Sequence, residues 1–195
     1  MSEPLRIAVA DDEPDMRDFF CKILPHLGYD VVAVAENGRQ LVEDCRQKHP
    51  DLIITDIEMP EMDGLDAARE IGNEHAIPVI LVTAHSEPEM IERASKAPVL
   101  AYLVKPIRKE DLPPAIGLAM QRNREFQALQ QQAEDTRQAL IDRKLIERAK
   151  GILMKRSGLP EPDAFRRLQK LSSDKNRKMV DVAQMIIIAE EAMEA

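Results

Sequence analysis

Five short apolar segments, each followed by a helix-length segment, constrain the fold of this chain more than any other feature. The apolar segments are rich in β-branched residues and cover residues 5–10, 30–35, 51–55, 77–83 and 99–104. Runs of this kind are typical of strands buried on both faces of a sheet. The helix-length segments are residues 14–27, 38–49, 64–73, 88–96 and from 109 onward. The pattern predicts an α/β fold, a five-stranded doubly wound parallel sheet with helices on both faces.

The rest of the chain predicts helices only. Residues 124–137 are polar and rich in glutamine, and apolar residues recur there at near-heptad spacing, at Phe126, Leu129, Ala133 and Leu140. This pattern fits a coiled coil or a solvated helical linker. Three amphipathic segments follow, at residues 140–156, 163–172 and 178–193, and predict a small three-helix bundle. The inner face of its first helix is expected to carry Ile141, Leu145, Ala149 and Ile152.

Charge divides the chain in the same way. Of its 195 residues, with a formal net charge of −8, residues 1–123 hold 13 basic and 23 acidic side chains, and residues 138–195 hold 12 basic and 9 acidic ones. An acidic front and a basic back indicate two domains with different partners. We therefore expect domains at residues 1–123 and 138–195, joined by a helical linker at residues 124–137.

Composition excludes several classes of protein. With 44% hydrophobic and 32% charged residues, the chain is neither disordered nor collagen-like. No apolar run is long enough to span a membrane, and the N-terminal residues show no export segment. Cys21 and Cys45 cannot form a disulfide framework, so we expect a reducing, cytoplasmic environment and no membrane partner.

Carboxylates, a hydroxyl and a lysine lie where the predicted strands end. Asp11 and Asp12 follow the first strand, Asp56 follows the third, Thr83 ends the fourth, and Lys105 follows the fifth. In an open parallel sheet, ligands bind beyond the carboxyl ends of the strands. Adjacent carboxylates repel one another, and a divalent cation can hold them ionised.

Mg²⁺ is the cation that this set of oxygen donors predicts, because it is a hard ion that keeps several waters. We expect Asp12 and Asp56 to be direct ligands and Asp11 to act through water. The backbone carbonyl of Glu58 is expected to complete the protein's share of the coordination.

Asp56 also has the chemistry of a phosphoacceptor. A carboxylate can attack phosphorus and form an acyl phosphate, while Mg²⁺ offsets charge on the group in transfer. Lys105 can supply a cation and Thr83 a hydroxyl to the phosphoryl oxygens. Singly, each residue has a simpler explanation, since an aspartate after a strand is often a helix cap and a lysine is often a surface charge. Their joint placement at four strand ends favours a phosphoryl-transfer site.

Four motifs resemble the receiver domain of two-component response regulators. They are Ala-Asp-Asp-Glu at residues 10–13, Thr-Asp-Ile-Glu-Met-Pro-Glu-Met-Asp-Gly-Leu at 55–65, Val-Thr-Ala at 82–84 and Tyr-Leu-Val-Lys-Pro at 102–106. The resemblance implies a flavodoxin-like fold and phosphorylation of Asp56 by a sensor histidine kinase. It also implies that Thr83 turns toward the phosphoryl group, that Tyr102 then moves inward, and that the Lys105–Pro106 bond is cis.

Basic residues concentrate on the first tail helix. At 100° per residue, Lys144, Arg148, Gly151 and Lys155 fall within a sector of about 60°. Arg143 and Lys150 are expected on a neighbouring exposed face. Further basic residues that could contact a phosphate backbone follow at Arg166, Arg167, Lys170, Lys175 and Arg177. Such a run is also typical of a plain solvated face.

Residues 143–154 (RKLIERAKGILM), with Asp-Ala-Phe at 163–165 and Val-Asp-Val-Ala at 180–183, resemble the ANTAR domain of transcription antitermination regulators. The resemblance implies binding to paired stem-loops in nascent mRNA, which prevents a terminator hairpin from forming. The combined interpretation is a response regulator, not an enzyme, whose phosphorylation favours a homodimer and controls RNA binding. The alternatives are a DNA-binding transcriptional regulator and an adaptor whose tail binds protein.

Overall fold

The computed structural model describes residues 3–84 and 99–194, so the helix expected at residues 88–96 lies outside the described residues. Five strands form one sheet: β1 (Arg6–Ala10), β2 (Asp30–Ala35), β3 (Leu52–Asp56), β4 (Val79–Thr83) and β5 (Val99–Val104). Every neighbouring pair is parallel, and the order is β2-β1-β3-β4-β5. This confirms the predicted doubly wound sheet, and it places the ends of β1, β3 and β4 side by side.

Helices follow the strands as expected. They are α1 (Pro14–His26), α2 (Gly38–Lys48), α3 (Gly64–Glu74), α4 (Leu112–Ser157), α5 (Glu161–Lys175) and α6 (Met179–Glu194). Two begin at side-chain caps, because Asn37 accepts a hydrogen bond from the Gln40 backbone and Asp63 accepts one from Asp66. A single turn of 3₁₀ helix, Lys109–Asp111, precedes α4.

The sheet separates two apolar clusters. Ala8 and Leu81 belong to the cluster that contains residues of α2 and α3, and Ile7 and Val82 belong to the cluster that contains residues of α1 and α4. The expectation that all five strands are buried on both faces is wrong for β2 and β5, which expose alternate residues. β2 and β5 are the edge strands of the sheet. Which strands lie at the edges depends on the strand order, and the sequence of a single strand does not determine that order.

The chain divides into two compact units, Met1–Gln127 and Ala128–Ala195, and α4 contributes residues to both. The residues expected to form a linker and a first bundle helix are therefore parts of one helix of 46 residues. Among the described residues, no helix is long and apolar enough to cross a membrane.

The second unit is built as the predicted bundle of amphipathic helices. Its core contains Ala149, Leu168, Val182, Ala183 and Ile187. The expectation that Ile141 belongs to this core is wrong, because its side chain is 42% exposed. The packed cluster includes α4 only from Leu145 onward, one helical turn later.

Candidate phosphoryl-transfer site and cationic surface

Three aspartates meet at the carboxyl edge of the sheet. Asp11 follows β1 directly and is fully buried, Asp56 ends β3 and is 6% exposed, and Asp12 is exposed. One carboxylate oxygen from each lies within 4.8 Å of the others. The structure thus brings together the three residues that the sequence proposed as metal ligands.

Lys105 is the cation at the centre of this acidic group. Its Nζ lies 2.6 Å from Asp56 Oδ2, 3.2 Å from Asp11 Oδ2 and 3.0 Å from Glu13 Oε1. Burial alone would lower the pKa of the Lys105 ammonium. The hydrogen bonds to Asp56 and Glu13, together with the surrounding negative charge, outweigh burial and raise that pKa above its usual value.

Asp11 is the most deeply buried carboxylate of the group. Burial raises the pKa of its carboxyl above the usual value, even though the Glu13 backbone N–H donates to its Oδ1 at 2.9 Å. Its Oδ2 is buried and, within the described part of the chain, accepts no hydrogen bond of good geometry, despite the nearby Lys105. One ammonium beside four carboxylates leaves excess negative charge, so a hard divalent cation fits this donor set.

Thr83 completes the lining of the site. It ends β4, is 7% exposed, and lines a pocket of about 200 Å³ together with Asp12, Asp56, Glu58 and Lys105. The Glu58 backbone N–H points toward Asp56 Oδ1, at 3.3 Å. The Lys105–Pro106 bond is cis, as the resemblance implied. Tyr102 lies on edge strand β5 with its side chain 46% exposed.

Two residues near the site received no role from the sequence. Glu13 binds Lys105, and Arg17 donates from one guanidinium nitrogen to the backbone carbonyls of Asp11 and Asp12 at 2.7 and 2.8 Å. Glu13 directly follows the aspartate pair, so its position was a usable signal. Arg17 acts through backbone oxygens, and no pattern of residue types in the sequence indicates such a contact.

A glycine fixes the approach of α3 to the site. A Cβ atom on Gly64 would lie 1.9 Å from the backbone oxygen of Asp56 and 2.9 Å from Thr55 Oγ1. Only a residue without a side chain allows this close approach. The start of α3 thereby holds the end of β3 in place.

In the second unit, α4 presents an exposed cationic surface. Arg143, Lys144, Arg148 and Lys155 are exposed, and a Cβ atom on Gly151 would meet nothing within 4 Å. Arg148 Nη2 binds Glu191 Oε1 of α6 at 2.7 Å. The other basic candidates are also exposed, namely Arg166, Arg167, Lys170, Lys175 and Arg177.

Lys150 differs from these cations, and the expectation that it lies on an exposed face is wrong. Its side chain is 9% exposed, and its Nζ lies 2.8 Å from both Glu147 Oε2 and Glu161 Oε1. The helical geometry of α4 predicts an angular position but not what packs over it. The start of α5 covers this position, and Glu161 supplies a carboxylate there.

The parallel sheet and the acid–lysine site at its carboxyl edge define the class of receiver domains. The response regulator receiver domain family matches residues 7–117, and the ANTAR domain family matches residues 134–187. The chain therefore belongs to the two-component response regulators that combine a receiver domain with an ANTAR domain. Both are regulatory domains, so the chain is a regulator and not an enzyme.

Individual relatives agree with this assignment. The transcriptional regulatory protein PdtaR of Mycobacterium tuberculosis is 41% identical over 184 residues, which cover 94% of this chain and 90% of PdtaR. The chemotaxis protein CheY of Bacillus subtilis is 39% identical and matches 57% of this chain and 94% of its own length. The N-terminal domain of a response regulator/sensory box/GGDEF protein from Carboxydothermus hydrogenoformans matches 63% of this chain and 97% of its own, with a TM-score of 0.55 and 30% identity.

Proposed function

We propose that this response regulator controls transcription antitermination by phosphorylation-dependent binding to RNA. A sensor histidine kinase phosphorylates Asp56, and the basic C-terminal domain then binds stem-loops in nascent mRNA, in the cytoplasm. The observation that carries the proposal is the meeting of Asp11, Asp12, Asp56 and Lys105 in a chain that also matches the ANTAR family.

The proposed chemistry is in-line phosphoryl transfer. A carboxylate oxygen of Asp56 forms a bond to phosphorus, while the phosphorus–nitrogen bond of the kinase's phosphohistidine breaks and its electron pair returns to the imidazole. Lys105 exchanges its contact with Asp56 for a phosphoryl oxygen, and the Thr83 hydroxyl donates to another. Tyr102, exposed on β5, is the residue we expect to move inward in response.

Mg²⁺ is the proposed cofactor of this site. Asp12 and Asp56 would hold it directly, Asp11 through water, and the backbone carbonyl of Glu58 would add a further ligand. The buried Oδ2 of Asp11, which lacks a well-aligned donor among the described residues, supports a cation here. When bound, Mg²⁺ offsets negative charge on the transferring phosphoryl group.

The RNA surface is proposed on the exposed cations of the second unit. Arg143, Lys144, Arg148 and Lys155 lie on α4 around the open surface at Gly151, where a phosphate backbone can approach the helix. The cations of α5 and of the turn after it would extend this surface, at Arg166, Arg167, Lys170, Lys175 and Arg177. Phe165 is the only aromatic residue in the sequence from 138 to 195, which favours phosphate contacts over base stacking.

The division into functional parts follows the charge. We propose a receiver domain at residues 1–123, a linker at 124–137 and an RNA-binding domain at 138–195. Phosphorylation is proposed to favour a homodimer, through the face that carries Tyr102 or through the linker, so that two RNA-binding domains act together on paired stem-loops. Light scattering with beryllofluoride as the phosphoryl mimic should then show a larger mass, and an unchanged mass would contradict dimerisation.

Crosslinking in cells tests the proposed function as a whole. Transcripts bound by the wild-type protein and by an Asp56→Ala variant are isolated and sequenced. We expect paired stem-loops upstream of terminators to be recovered with the wild type and to be depleted with the variant. Recovery of DNA operators, or of no nucleic acid from either protein, would support the DNA-binding or the adaptor alternative instead.

A further inference from the structure

Lys150 is the one member of the basic set in the second unit that is both buried and shared between two carboxylates, among the residues that the structure describes. Its side chain is 9% exposed, against 55% for Glu147 and 64% for Glu161. Hydrogen bonds to Glu147 and Glu161 raise the pKa of its ammonium, so it stays charged. Its position is therefore fixed by protein contacts.

Its two partners come from different elements. Glu147 lies three residues earlier on α4, whereas Glu161 is the first residue of α5. The connection between these helices is only three residues long and contains Gly158, whose φ is +63°. Lys150 thus ties the start of α5 to α4 across a short turn that contains a conformationally permissive residue.

A phosphate contact is a poor explanation for this lysine. Two carboxylates at 2.8 Å already occupy its ammonium, and both would repel an incoming phosphate. Exposed cations are carried by both helices that it connects, with Lys144 and Lys155 on α4 and Arg166, Arg167 and Lys170 on α5. The spacing between these two groups depends on how α5 leaves the turn.

We propose that Lys150 and Glu161 are positioning residues, which set the distance between the cations of α4 and those of α5 to match an RNA backbone. This inference rests on the proposed RNA binding. Lys150 contributes by holding α5 in place, and Glu161 contributes although its charge opposes that of RNA.

Glu161 gives the sharpest test, because the two explanations predict opposite signs. The probe is an RNA selected on the full-length wild-type protein, with beryllofluoride and Mg²⁺, from a library of tandem stem-loops with randomised loops. Loss of an acidic side chain near RNA normally strengthens binding, and the matched control Asp174→Ala on α5 should leave affinity equal or higher. We expect Glu161→Ala to weaken binding, by about tenfold, which corresponds to about 1.4 kcal/mol.

Amide exchange in the first turn of α5 separates positioning from direct contact for Lys150. Loss of one phosphate contact lowers the slope of log K against log salt by roughly 0.7 to 0.9. Lys144→Met should lower the slope by about this amount. Lys150→Met should also weaken binding, and it should speed amide exchange in the first turn of α5, which Lys144→Met should not do.

The possible results distinguish failure of the proposed RNA binding from failure of the positioning role of Lys150 and Glu161. A selection that returns no RNA overturns the proposed function and this inference with it. A selected RNA that binds Glu161→Ala as tightly as Asp174→Ala, or a Lys150→Met variant with unchanged amide exchange in the first turn of α5, overturns the inference alone. If Lys150→Met does not fold, the Glu161→Ala result still decides.

Discussion

Each unit of this protein contains a lysine that is mostly buried and held by carboxylates, and the two sites differ in how far the carboxylates are exposed. Lys105 contacts Asp11 and Asp56, whose side chains are 1% and 9% exposed. Lys150 contacts Glu147 and Glu161, whose side chains are more than half exposed. In the first site two of the acids, Asp11 and Asp56, are buried with the lysine, whereas in the second site neither acid is buried.

This difference separates a reactive site from a structural contact. Buried, mutually close carboxylates keep excess charge that a single ammonium does not neutralise, so the site favours additional cations and phosphoryl chemistry. Glu147 and Glu161 also outnumber their single lysine, but both are more than half exposed, so water solvates their excess charge and no further cation is needed. In this protein the lysine beside buried carboxylates belongs to the reactive site, and the lysine beside exposed carboxylates makes a structural contact.

The largest expected effect lies at Asp56. Asp56→Asn removes the nucleophile and should abolish uptake of a phosphoryl group from acetyl phosphate and Mg²⁺, measured as added mass on the intact protein. Glu161→Ala, which alters the corresponding contact in the second unit, should be phosphorylated at the wild-type rate. A phosphorylated Asp56→Asn protein would contradict the assignment of the phosphoacceptor.

The next effect compares two glycines. Gly64→Ala forces a Cβ atom into the backbone of Asp56 and should destabilise the first unit by about 3 kcal/mol or more. Gly151→Ala meets open space in the middle of a helix and should stabilise the second unit, by up to about 1 kcal/mol. Hydrogen exchange of each unit across a urea series measures both changes. Equal effects at the two positions would contradict the packing described around Gly64.

The sequence predicted the first site well and the second poorly, and the reason is geometric. Strand ends in a parallel sheet converge on one edge whatever the details, so Asp11, Asp56 and Lys105 could be placed together from their positions alone. The prediction that Lys150 lies on an exposed face rests on the angular geometry of one helix. That geometry does not indicate which other helix supplies a partner for the side chain. The same limit explains Ile141, whose apolar stripe continues beyond the region where other helices pack.

Substitutions in the two units should also differ in their effect on Mg²⁺ affinity, and this effect is smaller than the two above. Asp12→Asn removes a proposed direct ligand and should weaken Mg²⁺ binding by roughly tenfold or more, since even outer-sphere partners are worth this much. Glu147→Gln should leave Mg²⁺ affinity unchanged. Isothermal titration with MgCl₂ measures both, and unchanged affinity in Asp12→Asn would remove this residue from the metal site.

The smallest effects concern two carboxyl pKa values, which should move in opposite directions. Burial raises the pKa of Asp11, whereas the hydrogen bond from Lys150 lowers the pKa of Glu161. Because the pKa of Asp11 is raised in the folded state, Asp11 stabilises that state less as the pH rises through its titration range. Because the pKa of Glu161 is lowered, the stabilisation that Glu161 contributes is lost as the pH falls through its titration range. Carbon-13 NMR of the carboxyl groups in Mg²⁺-free buffer measures both. In Lys150→Met, the pKa of Glu161 should return toward its usual value and that of Asp11 should not change.

The central claim is that a phosphoryl group on Asp56 changes how the second unit binds RNA, and one binding measurement tests it directly. The affinity of the full-length protein for its selected tandem stem-loop RNA is measured at fixed salt and Mg²⁺, with and without beryllofluoride, for wild type and Asp56→Asn. We expect the wild type to bind at least about tenfold more tightly with beryllofluoride, a coupling of about 1.4 kcal/mol, and Asp56→Asn to show no response. Equal affinity of the wild type in both conditions would contradict the claim.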